Sequence, residues 1–166
     1  MRVMKRVIAV AVVLMAATVR LSAQGHPSFA GTWVMDPAKT VIDGQASAPS
    51  AGTRVVVQRG DTLIVDNEIT APESGTQKTH LVWGTDGKPW KNKVPIQGEE
   101  TEVASVLTWD GPALVIKTAI SFQGMSVEQA DRWALSADGK SMTATRSLTV
   151  EGEVVGSATL TYVKKS

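Results

Sequence analysis

The chain has 166 residues, of which 43% are hydrophobic, 20% are charged and 5% are aromatic, and it contains no cysteine. This composition is that of an ordinary globular protein and excludes collagen-like and disordered chains. The lack of cysteine excludes disulfides, zinc–thiolate sites, a thiol nucleophile and a lipid anchor on an N-terminal cysteine.

The first 23 residues predict a helical secretory signal peptide. A basic N-terminus precedes the apolar run Val7–Val19, and Leu21–Ala23 ends in small residues suited to cleavage before Gln24. The apolar run is short for a membrane span, which favours a cleaved signal over the alternative of an uncleaved anchor. We therefore expect an exported protein, periplasmic or extracellular, with no membrane span after cleavage.

Cleavage reverses the sign of the net charge. The full chain has 17 basic and 16 acidic residues, a net charge of +1. Four of the basic residues and none of the acidic ones lie in residues 1–23. The mature chain therefore has 13 basic and 16 acidic residues and a net charge of −3. A mature chain with a small negative charge and no basic stripe does not favour a nucleic-acid partner, and we expect none.

Residues 24–166 predict one all-β domain. Short runs rich in Val, Ile and Thr alternate with Gly, Asp and Pro throughout. The predicted strands are Phe29–Met35, Thr53–Arg59, Thr62–Ile69, Thr76–Trp83, Thr101–Trp109, Ala113–Phe122, Ser126–Leu135, Ser141–Val150 and Val154–Val163. Residues 36–52, with a helical turn, and 84–98 are predicted as long connections. Hairpin-length links exclude parallel βαβ units and leave an antiparallel up-and-down meander, as a barrel or a sandwich.

Turn positions in the second half predict which residues face each other. A two-residue turn at Asp138-Gly139 places Asp131 opposite Arg146 and Trp133 opposite Ala144. Three further turns, at Gly124-Met125, 151–153 and Asp110-Gly111, predict the pairs Thr118–Asp131, Ile116–Trp133, Arg146–Ala158, Met142–Tyr162, Leu107–Leu114 and Val103–Thr118. All four turns keep the apolar residues on one face of the sheet, as a consistent meander requires.

One predicted row places charge on that apolar face. Asp131 and Arg146 lie side by side in it, between Thr118 and Ala158. Since a buried charge without a partner costs several kcal/mol, the two side chains are expected to pair. The pair either anchors the polar head of a ligand in a cavity or is a structural ion pair that closes one end of the barrel. The predicted interior ligand residues are Thr118, Asp131, Arg146, Trp133, Ile116 and Tyr162.

The start of the mature chain carries a family resemblance. Phe29–Trp33, followed by Asp36 and Lys39-Thr40, resembles the G-x-W opening strand of lipocalin-like (calycin) barrels. This G-T-W start and the later hairpin segments also resemble secreted bacterial proteins of that general kind. The resemblance implies a barrel of about eight to ten strands around a small apolar ligand. It also implies a first-strand tryptophan packed near a closing-strand arginine, a place that Arg146 or Arg132 would fill.

The remaining candidate residues predict little chemistry. Trp90 lies in the predicted loop Lys88–Lys93, where it would cap the barrel mouth or stack against a sugar or a protein partner. His26 and His80 lack metal-ligand spacing, so neither a metal nor a cofactor is predicted. No Gly-x-Ser-x-Gly turn, phosphate loop or dinucleotide fingerprint is present, so no catalytic residue is assigned.

Three functions follow from these observations. The first is a secreted or periplasmic barrel that binds a small hydrophobic or amphipathic molecule without catalysis. The alternative is an interaction or structural module of the cell envelope, with a filled interior and an exposed aromatic patch near Trp90. The third is a hydrolase or isomerase in which Asp131, His80 or a glutamate converge. A cavity in the barrel distinguishes the first from the second.

Overall fold

The structure is a computed structural model that describes residues 25–44, 49–96, 98–122 and 124–166. The predicted signal peptide and its helix lie outside these residues. The described residues form an 11-stranded antiparallel sheet. Its strands are β1 (Gly31–Met35), β2 (Val41–Gly44), β3 (Ala51–Arg59), β4 (Thr62–Ala71), β5 (Gly75–Gly84), β6 (Pro89–Ile96), β7 (Glu99–Asp110), β8 (Ala113–Phe122), β9 (Met125–Leu135), β10 (Ser141–Val150) and β11 (Glu153–Lys164). The predicted all-β meander is confirmed, and each of the nine predicted strands ends within two residues of its predicted bounds.

Two strands were missed because they lie in the predicted long connections. β6 occupies the connection 84–98. Its prolines and lysines are typical of an edge strand, because one side of such a strand has no hydrogen-bonded neighbour in the sheet. β2 occupies the connection 36–52 and pairs with β11. The helical turn predicted there is the 3₁₀ helix Pro37–Lys39, capped by a hydrogen bond from the Ala38 amide to the Asp36 carboxylate.

The register predicted from Asp138-Gly139 is confirmed, but the predicted two-residue turn is wrong, because β9 ends at Leu135 and β10 begins at Ser141. Arg146 lies opposite Asp131 and Ala144 lies opposite Trp133. The pairs of Arg146 with Ala158 and of Met142 with Tyr162 are also present between β10 and β11.

The predicted three-residue turn between β10 and β11 is wrong. The turn is Glu151-Gly152, with φ of 49° and 87°, and a bulge after Leu148 then shifts the register. A two-residue turn of this kind matches the strand twist, and the bulge adds the extra residue that the longer turn would have supplied.

The other two predicted hairpin registers are wrong by two residues each. Ile116 lies opposite Asp131, and Thr118 lies opposite Gln129 rather than Asp131. In the neighbouring hairpin Thr118 lies opposite Ser105 rather than Val103. Met125 is a strand residue paired with Phe122, and Asp110 is a strand residue paired with Ala113, so neither belongs to its turn as predicted. A shift of two residues leaves every side chain on its face, and the inward face was therefore predicted correctly.

The sheet curls until its two edge strands meet. The strand order is β5-β4-β3-β1-β11-β10-β9-β8-β7-β6, and β2 pairs with β11 beside this path. β5 and β6 lie side by side but share no backbone ladder within the described residues. At this seam the Asn92 side-chain amide accepts a hydrogen bond from the Val82 amide at 2.7 Å and donates one to the Val82 carbonyl at 3.0 Å. The Asn92 side chain thus forms the pair of hydrogen bonds that a backbone peptide group forms elsewhere in the sheet.

Replacing Asn92 by alanine should lower the free energy of unfolding by about 1–3 kcal/mol. The Val82 amide and carbonyl would both lose their partner across the seam. Urea denaturation measures the loss, and hydrogen exchange at the Val82 amide should accelerate with it. Lys91→Ala is the control, since Lys91 is the neighbouring residue but its ion pair with Glu102 lies on the exposed surface. Equal exchange rates in the two variants would contradict a closing role for Asn92.

The N-terminal segment closes one end of the barrel. Phe29 is fully buried, its amide donates to the Gln58 side chain, and its carbonyl accepts a hydrogen bond from the Trp33 indole at 2.9 Å. His26 stacks on Trp109 with ring centroids 4.0 Å apart. We call this closed end the floor. The apolar core next to it consists of Phe29, Trp33, Met35, Val56, Leu63, Val65, Trp83, Leu107, Leu114, Ile116, Trp133, Met142, Ala144, Leu160 and Tyr162. The interior is therefore filled towards the floor.

Candidate ligand-binding site

Two adjoining chambers lie inside the barrel beyond the filled core. The larger chamber has a volume of about 440 Å³ and the smaller one about 260 Å³. They share the lining residues Asn67, Ile69, Gln77, Thr79, Gln129 and Arg146. The shared lining makes them two parts of one space, which we call the lumen.

The lumen combines apolar and polar walls. Ile69, Leu148 and Leu160 line the larger chamber, whereas Thr118 and Ser105 line the smaller one. Of the described residues that line either chamber, only Arg54, Asp131 and Arg146 are charged. Such a mixture, with a few polar groups on a largely apolar wall, is typical of small-molecule sites.

The predicted ion pair of Asp131 and Arg146 is present in the lumen. The Arg146 Nε donates to Asp131 Oδ1 at 2.8 Å, and the Gln129 amide donates to Asp131 Oδ2 at 2.7 Å. The Asp131 side chain is 10% exposed, and both of its oxygens have partners. The carboxylate raises the pKa of Arg146 above its ordinary value, against the effect of burial. The positive charge of Arg146 is therefore largely compensated within the protein.

Arg54 is a second guanidinium inside the barrel and is buried, and sequence reasoning missed it. It lies on β3, is 3% exposed, and donates from Nε to the Asn67 side-chain oxygen at 2.7 Å. Its central carbon lies 4.0 Å from the centroid of the Trp133 ring and 4.7 Å from that of Tyr162. Within the described residues it makes no ion pair. The strand alternation did contain a signal, because Arg54 shares a face with the buried Val56.

The charge of Arg54 is costly where it lies. Burial lowers the pKa of its guanidinium, and the positive charge of Arg146 acts in the same direction, whereas Tyr162 and the Asp131 carboxylate oppose this. Arginine nevertheless stays protonated in proteins. Within the described part of the chain, this positive charge therefore has no carboxylate partner inside the barrel. Such a charge destabilises a fold unless a partner compensates it.

Three buried polar atoms next to this charge lack hydrogen-bond partners within the described residues. They are Arg54 Nη1, Trp133 Nε1 and the Tyr162 hydroxyl. The first two can only donate, and the hydroxyl can donate as well as accept. Leaving a buried donor unpaired costs about 1–3 kcal/mol. The positive charge of Arg54, which lines the smaller chamber, fits a negatively charged group there.

Solved structures share this architecture. The fluorescent protein UnaG matches with a TM-score of 0.54 and 18% identity, over 82% of this chain and 97% of that one. A secretory abundant heat soluble (SAHS) protein of Ramazzottius varieornatus matches with a TM-score of 0.55 and 15% identity, over 85% and 97% of the two chains. The chain has the calycin-type barrel fold. No family model and no curated protein matches its sequence, so the likeness concerns the fold alone.

In this calycin-type barrel the predicted interior residues lie in or beside the lumen. Ile116, Thr118 and Trp133 line the smaller chamber together with Asp131, whereas Arg146 lines both chambers. Tyr162 lies beneath the lumen, against Arg54. Thr118 is separated from Asp131 by the register shift, so its predicted direct contact with the ion pair is wrong. Whether these residues bind a ligand remains a prediction.

The cation next to the first-strand tryptophan, Trp33, is Lys164 and not Arg146 or Arg132, which the resemblance implied. Lys164 on β11 lies with its Nζ 5.2 Å from the centroid of the Trp33 ring. Arg146 lies in the lumen instead, and Arg132 lies on the outer surface with its Nε 3.3 Å from Asp110. The terminal strand supplies the cation because Lys164 is the residue paired with Trp33 in the sheet.

Trp90 does not lie in a loop. It belongs to β6, pairs with Ser105, and is 36% exposed. Its indole nitrogen lies against Gly84 of β5, so closely that a side chain at that glycine would collide with it. Trp90 thus packs across the seam, and the predicted loop position was wrong because β6 was missed.

The remaining sequence candidates do not come together. His80 lies on the outer surface, 2.6 Å from Asp66, whereas Asp131 lies in the lumen. Among the residues that the structure describes, no three histidines or carboxylates are placed to hold a metal ion. No helix within that part of the chain is long and apolar enough to span a membrane.

Proposed function

We propose that the mature protein binds, without catalysis, a small amphipathic molecule whose head group is an oxyanion. The observation that carries this proposal is the buried guanidinium of Arg54, which lines the smaller chamber and has no carboxylate partner among the residues that the structure describes. A carboxylate, sulfate or phosphate in that chamber would supply the compensating charge that Arg54 lacks.

The rest of the lumen supports an amphipathic ligand. Beyond the charged groups, Ile69, Leu148 and Leu160 offer an apolar wall to an alkyl or ring system. Neutral amide and hydroxyl groups, such as Gln77 and Thr79, lie between the two regions and can bind polar substituents. Chambers of about 440 and 260 Å³ also favour a binding protein over the alternative of a module with a filled interior.

We further propose that this binding takes place outside the cytoplasm. The support is the basic start, apolar run and small-residue end of residues 1–23. The intact mass of the protein from its own host tests this proposal. The mass of a chain starting at Gln24 is expected, and a mass that still includes residues 1–23 would contradict cleavage at that position.

Octyl sulfate should bind the protein at least about tenfold more tightly than octan-1-ol. The two probes share an alkyl chain and differ in the charged head group, so the difference in affinity isolates the contribution of the anion. Isothermal titration calorimetry below the micellar concentration measures both. Equal affinities, or no binding of either probe, would contradict the proposed site.

A further inference from the structure

The charges of the lumen do not cancel. Two guanidinium groups and one carboxylate line the chambers within the described residues, which leaves one positive charge in excess. The carboxylate of Asp131 is engaged by Arg146 and Gln129, so the excess lies at Arg54. Arg54 and Asp131 are buried and Arg146 is partly buried, so the sum of their charges matters more than it would on the open surface.

We propose that Asp131 sets the charge selectivity of the lumen, so that the protein selects ligands whose head group carries a single negative charge. This inference rests on the proposed function. Asp131 neutralises Arg146, and a monoanion at Arg54 then leaves the lumen electrically neutral. A dianion would leave one uncompensated negative charge beside the Asp131 carboxylate, which burial and like-charge repulsion both disfavour.

The arrangement around Asp131 fits this role. Its two oxygens accept hydrogen bonds from the side chains of Gln129 on β9 and Arg146 on β10. Arg146 lines both chambers and Asp131 lines the smaller one, so a head group in the smaller chamber lies near both charges. Asp131 therefore acts on ligand choice by cancelling the positive charge of Arg146.

Two probes with the same chain test the selectivity. Octyl sulfate carries one negative charge, and octyl phosphate approaches two at pH 8 because its second pKa lies near 6. The wild-type protein should bind octyl sulfate more tightly than octyl phosphate. Asp131→Asn makes the excess charge of the lumen +2, and the affinity ratio should move towards octyl phosphate by about tenfold or more. Calorimetry at constant ionic strength measures both affinities.

Two control variants separate lumen charge from total charge. Asp110→Asn removes the same charge from an ion pair with Arg132 on the outer surface, and should leave the ratio unchanged. The double variant Asp131→Asn with Arg146→Gln restores an excess of +1, and its ratio should return to the wild-type value.

The outcomes distinguish the two proposals. If the wild type binds octyl sulfate but Asp131→Asn changes the ratio no more than Asp110→Asn does, the charge selectivity is wrong and the binding site stands. If the wild type binds neither anion, the proposed function fails first. Should Asp131→Asn not fold by circular dichroism, Arg146→Gln tests the same inference. Its lumen has no excess charge, so octyl sulfate binding should weaken about tenfold. Unchanged octyl sulfate binding would overturn the inference.

Discussion

Replacing Trp33 by alanine should lower the free energy of unfolding by about 3–5 kcal/mol. Trp33 is fully buried on β1, and its indole N–H donates to the Phe29 carbonyl at 2.9 Å. The substitution would leave a large cavity in the floor and an unpaired carbonyl at the residue that closes the barrel. Since small domains have about 5–15 kcal/mol of stability in total, the loss would be a large share of it. Urea denaturation followed by far-UV circular dichroism measures the effect.

Val34→Ala is the matched control for this prediction. Val34 follows Trp33 on the same strand, but its side chain points outward and is 42% exposed. Its substitution should change the stability by less than about 1 kcal/mol. A similar loss in the two variants would show that β1 contributes through its backbone pairs with β3 and β11 rather than through the tryptophan.

The floor and the lumen thus have separate tasks. Trp33 and Phe29 bury apolar surface near one end, whereas Arg54 and Asp131 line the smaller chamber. Stability from the apolar core allows the protein to hold the costly charge of Arg54 directly beside that core. Variants in the floor should therefore change stability, and conservative variants in the lumen should mainly change binding.

Local turn chemistry explains what the sequence predicted well. The Asp138-Gly139 turn fixes the register between β9 and β10, so the ion pair of Asp131 and Arg146 was predictable from their positions alone. Turns that contain several candidate residues are less specific, and two registers were displaced by two residues. The period of the strand is itself two residues, so these errors exchanged neighbours along one face and did not exchange faces.

Long-range pairing explains what the sequence could not predict. Arg54 meets Trp133 and Tyr162 because β3, β9 and β11 curl around one interior, and no turn links β3 to the other two strands. The link between β1 and β3 spans the predicted connection 36–52, whose length leaves the register open. The seam likewise depends on the side chains of Asn92 and Trp90, in a segment that lacks the alternation of a central strand.

Replacing Arg54 by methionine should stabilise the ligand-free protein and impair binding. Removing a buried charge that has no carboxylate partner should raise the free energy of unfolding by about 1–2 kcal/mol, after the loss of its stacking on Trp133 and Tyr162 is allowed for. Octyl sulfate binding should weaken about 100-fold, because the anion loses its charged donor. Binding of octan-1-ol should change little. Urea denaturation and calorimetry measure the two effects on one preparation.

Opposite changes in stability and binding are what distinguish a binding residue from a structural one. Arg59→Met is the control, since Arg59 lies on the same strand and is exposed, and it should leave both quantities unchanged. A structural arginine would give a destabilised Arg54→Met protein, because its hydrogen bond to Asn67 and its ring contacts would be lost without any gain. A variant that is more stable and still binds octyl sulfate as tightly as the wild type would place the anion elsewhere. The predicted combination of gained stability and lost affinity arises only if the charge of Arg54 destabilises the ligand-free fold and binds the head group of the ligand.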